Sequence, residues 1–126
     1  MKTMTSLLLG LALLGTTAER TFAQAQDYPN RQVNFVVPFA PGGGTDIIGR
    51  LIGQKLTDRF GKSFVIENRP GAGTVNAAVQ VSKSAPDGYT IMMATSGTMA
   101  MNPTLYKSLP YAPGKDLVLA ALICHV

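Results

Sequence analysis

The residues best suited to chemistry lie in the run Pro38-Phe39-Ala40-Pro41-Gly42-Gly43-Gly44-Thr45-Asp46. The run follows an apolar, β-branched stretch and precedes a helical pattern. A glycine-rich turn entering a helix leaves backbone N–H groups unpaired and aims them at one spot. The helix dipole adds partial positive charge there, so the spot suits an anion. Asp46 has two readings, as a cap on the first helical turn or as a pocket carboxylate facing a ligand ammonium. A second group of candidates is Ser96, Gly97, Thr98 and Asn102. Ser96 and Thr98 carry hydroxyls, but no base stands at an activating spacing. They read as ligand hydrogen-bonding or turn residues rather than nucleophiles.

Other chemistries have less support. A dinucleotide fingerprint counted from Gly42 needs glycine where Ile47 stands. A P-loop counted from Gly44 reaches Gly49-Arg50-Leu51, without the lysine or the magnesium hydroxyl. A phosphate- or nucleotide-handling enzyme is therefore the weaker alternative. Paired carboxylates for acid–base work are not evident. Cys124 is the one cysteine and His125 the one histidine, which excludes an internal disulfide. Neighbours on a strand point to opposite faces, so this pair does not act together. No metal and no cofactor are expected. Arg69-Pro70-Gly71-Ala72-Gly73 reads equally as a plain turn or as a close backbone approach to a ligand or to the first loop.

The elements that position these residues follow from periodicity. Gln32–Val37 reads as a buried strand. From Asp46, Ile47, Ile48, Leu51, Ile52, Leu56 and Phe60 follow helical spacing, with Gly61 as the stop. Ser63–Ile66 reads as a second strand and residues 74–84 as a second helix. Pro86-Asp87-Gly88 is a turn signal. Tyr89–Thr95 reads as a third strand and Leu117–Val126 as a fourth. The alternation is that of an α/β fold, a mostly parallel sheet flanked by helices. Ligands in such sheets sit outside the carboxyl ends of the strands, where the loops 38–46, 68–74 and 96–102 leave.

Residues 1–25 read as a secretory signal peptide, with Lys2 at its start, the apolar Leu7–Leu14 and an A-x-A site at Ala23-Gln24-Ala25. Cleavage near Ala25 would remove Lys2, Glu19 and Arg20 and lower the formal charge from +4 to +3. The remaining basic residues, among them Arg31, Arg50, Arg59, Arg69 and Lys83, are scattered. Nucleic-acid binding has little support.

Three blocks carry a resemblance: YPNRQVNFVVPFAPGGGTDIIGRLIGQKL, then VIENRPGAG, then APDGYTIMMATSGTMAMNPTLYKSLPY. Together they resemble the substrate-binding receptors of tripartite tricarboxylate transporters, the Bug proteins, from about Tyr28 to Asp116. The resemblance implies a non-enzymatic periplasmic receptor with the type II, two-lobe (Venus-flytrap) binding-protein fold. Such receptors close over a small carboxylate and deliver it to a transporter with one large and one small membrane subunit. Their ligands include dicarboxylates, tricarboxylates, acidic amino acids and aromatic acids. The family's first loop, matching Pro38 to Asp46, holds a ligand carboxylate through backbone groups and ordered water. The region matching Ser96, Gly97, Thr98 and Asn102 adds contacts. Gly73-Thr74-Val75-Asn76 departs from the family pattern. Residues 26–126 correspond to the front part of the first lobe, without a second lobe or returning segment. The expectation is a receptor, or alternatively a truncated gene product without function.

Overall fold

The structure is a computed structural model and describes residues 27–124. The signal-peptide reading of 1–25 and the one of His125 fall outside those residues.

Three strands form one parallel sheet: β1 (Val33–Val37), β2 (Phe64–Asn68) and β3 (Thr90–Met92), in the order β2-β1-β3. The apolar run VNFVV takes the centre because both its faces are covered. Val33, Val36 and Val37 are fully buried. Parallel register sets Phe35 beside Ile66 on one side and Ile91 on the other, and Val36 beside Met92.

Side chains alternate along a strand, so Val33, Phe35 and Val37 share one face. Helix α1 (Gly44–Phe60) covers that face. It lies close because glycine stands at the contact. A Cβ at Gly49 would meet Val37 Cγ2 at 3.0 Å, and one at Gly53 would meet Ile66 Cδ1 at 3.0 Å. The helix stops where expected. Gly61 adopts φ 66° and its N–H donates to Thr57 O at 2.8 Å, closing the last turn. Thr57 Oγ1 then accepts from Phe64 N at 3.0 Å and pins the start of β2.

Helix α2 (Val75–Ser82), entered through a tight turn at Ala72–Thr74, carries the second core. Val75 and Ala78 pack with Tyr111 and Leu117, and Met92 of β3 lies against them. Beyond β3 a π-helical turn (Gly97–Met101) runs into the short α3 (Asn102–Leu105).

Two expectations need correction. The fourth strand does not form. Residues 117–124 carry no strand, and their one ladder contact among the described residues is an isolated bridge between Pro113 and Leu117. Apolar composition makes a strand only where a free edge is in register to receive it. The loop at 96–102 is helical. On α1, Ile47 and Leu51 are 61% and 60% exposed and Ile52 and Leu56 half-buried, while Gly49 and Gly53 are buried. Burial here follows the smallest side chains, which let helix and sheet approach.

Candidate functional site

Because all three strands run parallel, the segments after Val37, Asn68 and Met92 leave the same end of the sheet. Three hydrogen-bonded links join them. Arg69 N donates to Val37 O at 2.8 Å, Asn68 Nδ2 donates to Phe39 O at 3.0 Å, and Asn102 Nδ2 donates to Gly73 O at 2.9 Å.

The first segment is the glycine turn. Pro38 is buried beneath it, Phe39 is partly exposed, and Ala40, Pro41, Gly42, Gly43 and Gly44 lie on the surface. Gly42 turns the chain at φ 88°, where a side chain would be strained. Ile47 N makes the first helical hydrogen bond, to Gly43 O at 3.0 Å. The N–H groups of Gly44, Thr45 and Asp46 precede it and have no intrahelical acceptor. No side chain caps them. Open donors and the positive end of a 17-residue helix thus coincide at the glycine turn.

Of its two readings, Asp46 follows the one at the helix start, as a reach-back bond to the loop and not as an N-cap residue. Its carboxylate is buried and turned back onto the loop. Oδ2 accepts from Gly42 N at 2.9 Å and from Arg50 Nε at 2.9 Å, and Oδ1 accepts from Asn68 Nδ2 at 2.8 Å. The arrangement resembles a capping box, in which the third helical residue reaches back to a preceding N–H. The Arg50 hydrogen bond, then those from Gly42 and Asn68, hold the Asp46 carboxyl well below the usual carboxylate range. Arg50 is pushed up in return by Asp46. Arg50 also donates from Nη2 to Asn68 Oδ1 at 3.1 Å, closing a ring of three side chains.

The second cluster joins the other two segments. Thr74, Thr98, Asn102 and Tyr111 are all buried. The Thr74 and Thr98 hydroxyls are 2.9 Å apart, Asn102 Nδ2 donates to Tyr111 Oη at 3.2 Å, and Tyr111 Oη donates to Thr98 O at 2.6 Å. Ala72 and Thr74 hold positive φ, at 48° and 79°. Each such residue costs about 1–2 kcal/mol, offset at Thr74 by its bonds to Thr98 and Asn102 and at Ala72 by the bond Tyr106 Oη donates to Ala72 O at 3.1 Å. Of the expected contacts in this region, Ser96 is exposed and Gly97 half-buried. The side chains of Thr98 and Asn102 are spent inside the protein.

Sequence reasoning missed Asn68, Tyr111 and the pairing of Arg50. Only Arg50 left a signal, its spacing of four from Asp46. At the opposite end of the strands a polar recess of about 310 Å³ is lined by Arg31, Asp87 and Tyr89 among others. Its cation is already occupied, since Arg31 pairs with Asp87 at 2.9 Å and lies over the Tyr89 ring. No group of residues suited to a metal occurs among the described residues.

A parallel α/β sheet with open N–H groups at a helix N-terminus beyond its carboxyl end is an arrangement suited to holding an anion. Residues 48–125 match the tripartite tricarboxylate transporter family receptor, and the chain belongs to that family. Its members are solute-binding receptors. Protein BugT of Bordetella pertussis is 39% identical over 103 residues, covering 81% of this chain and 32% of that protein. A UPF0065 protein of the same organism is 36% identical over 106 residues, covering 84% and 33%. The chain thus spans about a third of the length of these relatives. Among solved structures, MatC of Rhodopseudomonas palustris with bound malate superposes with a TM-score of 0.67 at 43% identity, covering 71% of this chain and 30% of that one. R. palustris Rpa4515 with adipate gives 0.66 at 46%, covering 69% and 29%. The periplasmic binding protein BugD gives 0.66 at 40%, covering 71% and 29%. The relatives are periplasmic binding proteins of this fold.

Proposed function

We propose that this chain supplies the first-lobe part of a periplasmic receptor that captures a small carboxylate for the membrane subunits of a tripartite transporter. The observation that carries the reading is the uncapped N-terminus of α1, presented by the glycine turn after the central strand. Support comes from the family and from two similar proteins, one with malate and one with adipate. Gly44, Thr45 and Asp46 offer backbone N–H groups to one ligand carboxylate, and Ser96 and Gly97 stand on the neighbouring segment. Dicarboxylates are the class favoured. An export signal at residues 1–25, cleaved near Ala25, accords with a periplasmic receptor.

Titration calorimetry with adipate and malate on the purified chain tests the reading. Binding of either acid, abolished by Gly42→Val, is the expected result. Binding of neither, by a chain with a cooperative thermal transition, would overturn it. Export is checked separately by mass spectrometry of the periplasmic fraction, with a new N-terminus expected near Gln26.

A further inference from the structure

We infer that Asp46, Arg50 and Asn68 are positioning residues for the carboxylate site, holding the glycine loop in shape and cancelling the negative charge built into its mouth. The inference rests on the receptor reading and deepens it. A helix N-terminus that receives an anion gains nothing from a free carboxylate in its own first turn, because like charges repel and both compete for the same N–H groups. Asp46 nevertheless stands there, buried.

The geometry resolves the conflict. All three of its hydrogen bonds run away from the open donors, to Gly42 N, Arg50 Nε and Asn68 Nδ2. Arg50 supplies the balancing charge from one helical turn along. Asn68, at the end of β2, bridges both partners and also grips Phe39 O. The loop is therefore held at two points, Phe39 O and Gly42 N, by side chains from two other elements. Charge and shape are set by the same three residues.

The two roles separate by mutation. Arg50→Met leaves Asp46 uncompensated and is expected to weaken malate and adipate binding by about tenfold or more. Adding Asp46→Asn removes the stranded charge, so the Asp46→Asn/Arg50→Met double variant should recover most of that loss, a coupling read by the double-mutant cycle. A purely structural role predicts the opposite, since the double variant loses more hydrogen bonds than the single one. A folded double variant that binds as weakly as Arg50→Met overturns the charge role, as does an Arg50→Met chain that binds like wild type.

A readout without ligand keeps the inference separate from the receptor reading. Carbon-detected NMR titration should find the Asp46 carboxyl ionised below the usual carboxylate range in the wild-type chain and returned towards that range in Arg50→Met. Amide exchange at Gly42 should quicken by about tenfold in Asn68→Ala as the loop loses one of its ties. If the wild-type chain binds neither acid, the receptor reading fails, and these two signals still decide the clamp. An Asp46 titration that Arg50→Met does not move, or Gly42 exchange that Asn68→Ala does not change, overturns it.

Discussion

The two halves of the proposed binding mouth are built from opposite materials. Between β1 and α1 the loop is held by an ionised ring, Asp46, Arg50 and Asn68, with the Arg50 side chain 53% exposed. Between α2 and the π-helical turn the segments are held by neutral groups, Thr74, Thr98, Asn102 and Tyr111, all buried. The difference follows from location. A charge at the rim can be paired while its partner stays in contact with water, whereas a charge under the second cluster would be desolvated at high cost. Neutral hydroxyls and amides can be buried if every one of them finds a partner, and no buried side-chain polar atom among the described residues lacks one. The ionised half is open to pH and salt, and the neutral half is closed to both.

The largest expected effect breaks the neutral half. Asn102→Leu removes the shared donor to Gly73 O, Thr74 Oγ1 and Tyr111 Oη and puts an apolar side chain among buried polar groups. It should cost about 2–4 kcal/mol, since a stranded buried polar group costs about 1–3 kcal/mol, read as a fall in the denaturation midpoint. Thr98→Val keeps the shape and removes one hydroxyl, and should cost about 1–2 kcal/mol. That loss should be the same at pH 4 and pH 7 and at low and high salt. If it varies with salt, the neutral cluster is not sealed from water as its burial indicates.

Gly42→Val tests the other half through the backbone. At φ 88° a β-branched side chain is strained, and a destabilisation of about 1–2 kcal/mol is expected together with loss of carboxylate binding. The pH response then separates the two regions. The folded-state pKa of Asp46 is depressed, so its stabilisation is fully present above the unfolded value of about 4 and is lost as pH falls below it. Urea midpoints from pH 7 to pH 2 should fall less steeply for Asp46→Asn than for wild type, while Thr98→Val should run parallel to wild type. The smallest effect is at the far end of the strands. Arg31 and Asp87 pair at 2.9 Å but are 61% and 43% exposed, and Arg31→Gln should cost less than about 1 kcal/mol. It should leave malate binding in place, and a large loss there would relocate the site to the recess beside Tyr89.

Much of this was legible along the chain. The run VNFVV places the central strand because β-branched residues fit a sheet buried on both faces. Gly61 marks the end of α1 because a left-handed residue closes the last turn. The alternation of strands and helices gives the parallel sheet, and with it the convergence of three loops at one end. The roles of particular polar residues were not legible. Asp46 is four residues from Arg50, and that spacing can be read, but Asn68 is 22 residues from Asp46 and meets it only once β2 lies beside β1. Thr98 and Asn102 looked like loop donors because small polar residues after a strand often are. Tyr111 approaches both only after the chain has doubled back over α2.

The sequence by itself determined the local matters: the three strands and two main helices, the stop at Gly61, and a glycine turn ahead of the first helix. These depend on neighbours within about one helical turn, so residue type and spacing suffice. Only the tertiary structure decided which face of α1 is buried, that residues 117–124 form no strand, and that Asp46, Arg50 and Asn68 bond to one another. Those outcomes depend on contacts between distant segments. Whether Asp46 meets a ligand or an arginine is fixed by what folding brings within hydrogen-bonding distance of it, and no local pattern carries that information.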